Sequence, residues 1–336
     1  MTRPTSMKAL VLNGAHAPLH LEQRPVPVPR DHEVLVRICA SGANHLDLKI
    51  RAGAAPQAKH PFPAILGIDL AGIVEAVGKH VTALAVGDEV FGMIGGVGGR
   101  PGSLAQFATA DARLLAHKPE RLTMRQAAAI PLAFITAWEG LVDRARVKEG
   151  QYVLIHGGAG GVGHMAIQIA AAFGARTFAT TSAGNAAYVA SLGAVPIDYR
   201  EKSVDHYVAE HTHGKGFDII YDTVGGHVLD ASFQAVKRFG HVVSALGWGT
   251  HGLAPLSFKG ATYSGVFTLL PLLTGVGRAH HGEILREATR LADSGRLMPR
   301  LDAQTYTLET ANDAHSAMTG SRTSTGKVVI TINAEE

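Results

Sequence analysis

The sequence predicts an α/β protein in which a doubly wound parallel sheet is joined to a second, β-rich domain. In the first third of the chain, short strands are separated by Gly and Pro, a texture typical of β-rich domains. Strands and helices then alternate in the rhythm of a parallel sheet covered on both faces. A glycine-rich loop follows the first strand of that alternating region. At 336 residues, the length suits two domains.

The β-rich part extends from about Met7 to Lys118. Its predicted strands are 8–13, 33–39, 72–77 and 88–93. The proline-laden segment 24–30 resembles a recognition tail, but an extended connector ahead of a strand is the simpler interpretation.

The alternating region begins after Arg121. Its predicted strands are 152–155, 177–180, 219–222 and 241–245, and its helices include 162–173 and 185–192. A helix at 283–294 and a strand at 327–332 follow, and we expect this tail to return to the first domain. The predicted domains are therefore 1–124 with 274–336, and 125–273, with cofactor and substrate expected in a cleft between them.

Composition excludes several classes of function. The 31 basic and 28 acidic residues are nearly balanced and the basic ones are scattered, which disfavours nucleic acid as a partner. Cys39 is the single cysteine, so neither an intramolecular disulfide nor a cysteine zinc cluster is possible. The longest apolar run, 264–276, is broken by Pro271 and is shorter than the roughly 20 residues that span a bilayer. With no apolar signal region at the N-terminus, we expect a cytoplasmic protein.

The glycine loop predicts a dinucleotide site. Gly158, Gly160 and Gly163 form G-x-G-x-x-G after an apolar strand and at the start of an Ala-rich helix. In that context the tight turn, the close backbone approach to a pyrophosphate and the helix dipole act together. The predicted cofactor-binding loop consists of Gly158, Ala159, Gly160, Gly161, Val162 and Gly163.

The end of the next strand predicts the choice of cofactor. An acid about 20 residues after the loop is typical of NAD enzymes, because it accepts hydrogen bonds from the ribose. Here the strand ends in Thr180, Thr181 and Ser182, which favours NADPH over NADH. Ser182 could also cap the next helix, and the two roles are compatible.

A set of motifs in order along the chain carries a family resemblance. They are Asn44-His45-Leu46-Asp47, Arg51-Ala52-Gly53, Gly67-Ile68-Asp69-Leu70-Ala71-Gly72, Val86-Gly87-Asp88-Glu89-Val90, Thr136-Ala137-Trp138, the HGGAGGVG loop, Asp222-Thr223-Val224-Gly225-Gly226 and Gly326-Lys327-Val328-Val329. The whole chain resembles the zinc-independent quinone oxidoreductase branch of the medium-chain dehydrogenases/reductases, the group that includes zeta-crystallin. The resemblance implies a GroES-like domain built from both ends of the chain and a Rossmann domain between them.

The resemblance also implies the cofactor contacts. The Ser, Lys, Tyr and Arg that hold the 2′-phosphate in similar enzymes fall on Ser182, Asn185, Tyr199 and Arg322. Asn185 replaces the lysine, so a charge is lost and the preference for NADPH is weaker than in the family. By the same resemblance the nicotinamide pocket is lined by Thr136, Leu246, Gly247 and Phe267.

The sequence argues against a metal. Zinc alcohol dehydrogenases carry a Cys at the position of Asn44 and a His at that of Ile68, and their four-Cys lobe is replaced by the loop 92–102. These residues do not form a zinc ligand set. The pairs His280-His281 and His211-x-His213 are interpreted as solvated surface, and no metal is assigned.

The predicted function follows from the missing Lewis acid. Without a metal ion to polarise the substrate, the acceptor must already be electron-poor, as quinones are. The predicted reaction is hydride transfer from the nicotinamide to such an acceptor. Asn44 is expected to donate a hydrogen bond to the developing enolate oxygen, with Lys49 as a second candidate that would favour small unsaturated acids.

Three alternatives stay open. The first is an ene-reductase of α,β-unsaturated aldehydes, acids or thioesters, the second a non-enzymatic NADPH-binding protein, and the third a zinc alcohol dehydrogenase. The segments 241–245 and 261–267 resemble the family's edge strands, so a homodimer is expected.

Overall fold

A computed structural model describes residues 4–319 and 326–333 of the chain and divides it into two units. Unit 1 comprises Met1–Leu132 and Leu269–Glu336, and unit 2 comprises Ala133–Thr268. The sequence places these boundaries at 124/125 and 273/274. The structure places the first boundary after Leu132, because the segment 125–132 packs on unit 1. Gly42 packs against the Ala128 carbonyl, and the Leu132 amide donates to Asp69 at 2.9 Å.

Unit 1 is rich in β-structure, as predicted. Its strands are β1 (Ser6–Leu12), β2 (Leu19–Pro25), β3 (Glu33–Gly42), β4 (Asp69–Val77), β5 (Glu89–Met93), β6 (Phe107–Asp111), β7 (Leu115–His117), β14 (Tyr306–Thr307) and β15 (Val329–Thr331). Its helices are α1 (His45–Arg51), α2 (Met124–Ala128), α9 (Leu270–Thr274), α10 (Arg278–Asp293) and α11 (Ala311–Ala317), with short 3₁₀ turns at Pro56–Ala58 and Ala112–Leu114. Helix α3 (Pro131–Trp138) contains the boundary between the units.

The sheet of unit 1 joins the two ends of the described chain. Among the described residues its order is β14-β15-β3-β4-β5-β7, and β6 also pairs with β3. The late strand β15 runs antiparallel to β3, with Val329 opposite Gly42 and Thr331 opposite Ala40. Strand β3 is apolar and buried along most of its length, so it forms the centre of this core.

Unit 2 is a doubly wound parallel sheet. Its strands are β8 (Tyr152–Ile155), β9 (Arg176–Thr181), β10 (Ala194–Asp198), β11 (Phe217–Asp222), β12 (Val236–Ser244) and β13 (Thr262–Gly265). Its helices are α4 (Gly163–Ala172), α5 (Ala186–Ser191), α6 (Val204–Thr212), α7 (His227–Ala235) and α8 (Ala254–Lys259), with a π-helix at Glu139–Arg144 and a 3₁₀ turn at Ala183–Asn185. The order β10-β9-β8-β11-β12-β13, parallel at every step, is that of a Rossmann sheet. The predicted fold class is confirmed.

The order of the parallel strands locates the expected ligand position. It reverses between β8 and β11, which is the topological switch point where open α/β sheets bind ligands. The loop between β8 and α4 lies at the carboxyl end of β8, at that point. Within the described part of the chain, no helix has the length and apolar character needed to cross a membrane.

A carboxylate in unit 1 connects its first and last segments and gives a pH-dependent prediction. Asp111 accepts from Arg113 Nη2 at 2.8 Å and from Arg278 Nη1 at 3.0 Å. Although burial raises the pKa of Asp111, these hydrogen bonds lower it to about 2. Because the folded pKa lies below the unfolded value near 3.8, the stabilisation is present above pH 4 and is lost as the pH falls toward 2.

We therefore expect Asp111→Asn to lower the free energy of unfolding at pH 7 by roughly 2 kcal/mol, at about 1.4 kcal/mol per pH unit between the two pKa values. Urea titrations should show the same difference from wild type at pH 7 and pH 5, and a smaller difference at pH 3. Asp31→Asn is the control, because its ion pair with Lys79 is exposed. A difference that does not change with pH would contradict this account.

Candidate active site

The glycine loop after β8 is fixed to the end of β9 by one threonine. Thr180 accepts from the Gly157 amide at 3.1 Å through its Oγ1 and from the Gly158 amide at 2.9 Å through its carbonyl oxygen. Its Oγ1 also lies 3.1 Å from His156 Nδ1, and burial lowers the pKa of that histidine to about 4. The loop is thus held by neutral groups.

Two glycines of the loop have no room for a side chain. A Cβ on Gly163 would lie 2.1 Å from the Gly157 carbonyl oxygen, and one on Gly158 would lie 2.6 Å from the Ala179 Cβ. In the described residues, the amides of Ala159, Gly161 and Val162 donate to no backbone acceptor. Since α4 starts here with its dipole, the loop fits the pyrophosphate of a dinucleotide.

The structure brings together three of the four residues expected at the 2′-phosphate. Thr181 of β9 pairs with Asp198 of β10, so Ser182 and Tyr199 leave the sheet side by side. Asn185 Nδ2 donates to Ser182 Oγ at 3.4 Å. Ser182 precedes a 3₁₀ turn and makes no side-chain capping hydrogen bond, so its hydroxyl is not used as a cap. Arg322, the fourth residue, lies outside the described residues.

Two of the residues expected at the nicotinamide are connected through a threonine. Thr268 Oγ1 donates to Glu139 Oε2 at 2.9 Å and lies 3.2 Å from Thr136 Oγ1, and Thr268 directly follows Phe267. The Thr136 carbonyl oxygen accepts from the buried Tyr221 hydroxyl at 2.6 Å. Thr136 is therefore held on α3 from two sides.

The other two expected nicotinamide residues lie on a turn held by a buried carboxylate. Asp222 accepts from the Ser244 hydroxyl at 2.7 Å, and Ser244 Oγ accepts from the Leu246 amide at 3.0 Å. A Cβ on Gly247 would lie 2.0 Å from the Tyr263 hydroxyl, so a side chain there would have to displace the Tyr263 ring.

Asn44 in unit 1 belongs to a buried polar cluster that sequence reasoning missed. Its amide nitrogen donates to Asp69 Oδ2 at 2.9 Å and to the Gly42 carbonyl at 3.1 Å, which uses both of its hydrogens. Its Oδ1 accepts from Lys327 Nζ at 2.5 Å. The amide is thus oriented internally, and it has no N–H left for the enolate oxygen that it was expected to contact.

The two carboxylates of this cluster are affected strongly by burial. The Asp47 carboxylate accepts from the backbone amide of Asn44 at 2.8 Å and from the backbone amide of Gly67 at 3.1 Å. Burial raises the pKa of Asp69 to about 7 and that of Asp47 to about 6, and the nearby Lys327 opposes both shifts. Burial lowers the pKa of Lys327, opposed by the same carboxylates. One ammonium therefore offsets the negative charge of two enclosed acids.

This geometry does not fit a catalytic zinc. An ammonium is bound to Asn44 where zinc enzymes carry a cysteine, and Ile68, where they carry a histidine, is buried and has no donor atom. Across residues 4–319 and 326–333, no group of three or more His, Cys, Asp or Glu side chains is arranged to hold a metal.

Lys49, the second expected catalytic residue, is exposed on α1. The pKa of His45, on the same helix, is lowered by burial and further by Lys327 and Lys49. Positive charge therefore accumulates on this side of the Asn44 cluster.

The fold and the loop define a dinucleotide-binding oxidoreductase, and comparison with known proteins identifies the family. Residues 30–120 match the family described as alcohol dehydrogenase GroES-like domain, and residues 192–330 match the one described as zinc-binding dehydrogenase. A crystal structure of an alcohol dehydrogenase superfamily protein from Novosphingobium aromaticivorans is 59% identical, with a TM-score of 0.96 over 97% of this chain and 100% of that one.

Three curated relatives are similar over nearly the whole chain. The 2-methylene-furan-3-one reductase of Solanum lycopersicum is 34% identical over 97% of this chain and 79% of its own length. The NADPH-dependent alkenal/one oxidoreductase of Arabidopsis thaliana is 32% identical over 97% and 80%. The quinone oxidoreductase of Sus scrofa is 31% identical over 91% of both chains. The chain belongs to the medium-chain dehydrogenase/reductase family and is an oxidoreductase, as the motifs predicted.

Proposed function

We propose that this chain is an NADPH-dependent reductase that transfers hydride to an electron-poor conjugated acceptor, with quinones as the first candidate class. The observation that carries the proposal is the Lys327 ammonium at 2.5 Å from Asn44 Oδ1, in place of a zinc ligand set. Without a Lewis acid to polarise a simple ketone, the acceptor must be activated by its own conjugation. NADPH when bound supplies the hydride, and one proton completes the reduction of a quinone to a hydroquinone.

The cofactor preference rests on the end of β9. Ser182 and Asn185 place a hydroxyl and an amide there, no acid occupies the strand end, and the exposed Tyr199 lies beside them. A 2′-phosphate would meet hydrogen-bond donors at the end of β9, and the neighbouring carboxylate of Asp198, at the end of β10, accepts from the Arg200 backbone amide at 2.9 Å. The NADPH dependence named for the Arabidopsis relative supports the same choice.

An ene-reductase of α,β-unsaturated aldehydes, acids or thioesters is the second candidate. Two of the three curated relatives described above are named for reactions of furanones or alkenals and enones. Quinones and enones share a carbon-carbon double bond conjugated to a carbonyl, so one hydride-transfer site can serve both. The cation Lys49 would add affinity for acids.

Asn44 and Lys49 have different roles in this proposal. Because both amide hydrogens of Asn44 are donated within the cluster, Asn44 acts as a positioning residue that holds the start of α1. Lys49, exposed on that helix, is proposed to stabilise the negative charge that develops on the acceptor oxygen.

The test is oxidation of NADPH and NADH, side by side, against a benzoquinone, a naphthoquinone, a 2-alkenal and an unsaturated carboxylic acid in metal-free buffer. Quinone turnover with NADPH is the expected result, and preference for the alkenal or the acid would move the assignment to the second candidate. Lys49→Met should lower kcat/KM about tenfold or more, whereas Lys79→Met, at an exposed ion pair, should not. Asn44→Ala should lower turnover before it weakens NADPH binding; unchanged turnover would remove Asn44 from the mechanism.

A homodimer in the cytoplasm is part of the proposal. Strand β13 pairs with β12 along one side and, in the described residues, has no strand on the other. Such an open edge can pair with the same edge of a second copy about a two-fold axis. Light scattering that gives a monomer mass at micromolar concentration would contradict it.

A further inference from the structure

The end of β10 carries a cation that the residues expected at the 2′-phosphate do not include. Arg200 directly follows Tyr199, and its guanidinium carbon lies 5.7 Å from the centre of the Tyr199 ring. Such stacking fixes a guanidinium in place without using its N–H donors. The cation is therefore held beside a residue already expected at the phosphate.

The strand register places the turn that contains Arg200 at the same edge of the sheet as the turn that contains Ser182 and Asn185. Thr181 and Asp198 are paired, and the Tyr199 amide donates to the Thr181 carbonyl at 3.4 Å, so β9 and β10 are still in contact where they end. Asn185 is connected to Ser182 at 3.4 Å. Because β9 and β10 are parallel, the four residues follow carboxyl ends that lie at the same edge of the sheet.

Among the described residues that follow β10, neighbouring charges leave Arg200 as a cation without an ion pair. Lys202 is paired with Glu210 at 2.5 Å. The carboxylate of Asp198 accepts from the Arg200 backbone amide at 2.9 Å. In the described residues, no carboxylate forms an ion pair with the Arg200 guanidinium. Arg200 is exposed, and an exposed guanidinium without an ion pair is suited to a phosphate dianion.

We propose that Arg200 is a specificity-determining residue for the 2′-phosphate of NADPH, and that it supplies the positive charge that Asn185 lacks. The inference rests on the proposed use of NADPH and explains how that preference persists without a lysine at position 185. It implies that the charge reaches the phosphate from β10 and not from the helix that follows β9.

The experiment compares dissociation constants of NADPH and NADH for wild type, Arg200→Gln and Arg176→Gln by fluorescence titration. Arg176 is a matched control, because it stacks on Tyr152 at 5.4 Å at the opposite end of β9. Arg200→Gln should weaken NADPH binding at least tenfold and leave NADH binding within twofold. Arg176→Gln should leave both within twofold. The double variant with Asn185→Lys and Arg200→Gln should regain most of the NADPH affinity that Arg200→Gln alone has lost.

Each other outcome has a separate meaning. If wild type prefers NADPH and Arg200→Gln keeps the same ratio of NADPH to NADH affinity, the role of Arg200 is overturned while the proposed cofactor stands. Equal weakening of both cofactors would also overturn it, because the 2′-phosphate is the only group that differs between them. If wild type binds NADH at least as tightly as NADPH, both proposals fail together.

Discussion

Lys327→Met should lower the free energy of unfolding of unit 1 by about 3–5 kcal/mol, since it removes one partner of a buried ionic cluster. The substitution leaves Asn44 Oδ1 without its donor and Asp47 and Asp69 without a nearby cation. Both tryptophans, Trp138 and Trp248, lie in unit 2, so their fluorescence does not report on this change. Hydrogen exchange of β3 and β15 is the appropriate measurement.

The effect of Lys327→Met should depend on pH. Burial raises the folded-state pKa of Asp69 to about 7 and of Asp47 to about 6, and loss of the ammonium would raise both further. An acid whose pKa is higher in the folded state than in the unfolded state stabilises the fold at low pH. This stabilisation is lost as the pH rises through the folded-state pKa. The variant should therefore be closer to wild type at pH 5 than at pH 8.

Lys8→Met is the matched control for that experiment. Lys8 pairs with Glu309 at 3.3 Å in the same unit, but its side chain is 46% exposed, so its removal should cost about 1 kcal/mol or less. A loss for Lys327→Met as small as that for Lys8→Met would show that the cluster does not stabilise unit 1.

Gly163→Ala should destabilise unit 2 by about 1–3 kcal/mol and abolish dinucleotide binding, because the added methyl group meets the Gly157 backbone. Its Cβ would lie 2.1 Å from the Gly157 carbonyl oxygen and 3.0 Å from the Gly158 Cα, and backbone at that distance cannot move aside cheaply. Helix α4 must shift away from β8. Urea unfolding followed by tryptophan fluorescence measures the first effect, and NADPH titration measures the second.

Gly160→Ala separates packing from ligand binding in the same loop. A Cβ there would meet only the Gly157 carbonyl oxygen, at 3.1 Å, so stability should change by about 0.5 kcal/mol or less. Cofactor binding should still weaken, because this backbone is expected to approach the pyrophosphate. Gly14→Ala, in unit 1 and with nothing within 4 Å of the added Cβ, should affect neither property. An unchanged tryptophan transition in Gly163→Ala, or full NADPH affinity in Gly160→Ala, would contradict these roles.

The sequence predicts the glycine loop and its strand well because both signals are local. Apolar residues of β8 lead directly into glycines whose tight contacts the structure confirms. Strand β10 was not predicted, since Pro196 interrupts its pattern, but β10 is an edge strand, where proline is tolerated. The π-helix at Glu139–Arg144 has no signal in the periodicity. In it, Gly140 packs against the Tyr221 ring.

The Asn44 cluster could not have been assembled from sequence patterns. Lys327 and Asn44 are 283 residues apart, and only the pairing of β15 with β3 brings them together. Asn44, Asp69 and Lys327 each stand in one of the motifs that carry the family resemblance, yet nothing in one motif specifies its distance from another. The same applies to Asn44 itself, whose hydrogens are used by partners that a local pattern cannot show.

The pairing of β15 with β3 also sets an order of events during synthesis. Residues 133–268 form a continuous segment, so unit 2 has all its strands once that segment has left the ribosome. Strand β3 is made before unit 2, but its partner strand Val329–Thr331 and the Asn44 partner Lys327 are made only after unit 2. We expect nascent chains of this protein to fold unit 2 while the apolar β3 still lacks one of its partner strands and is exposed to chaperones.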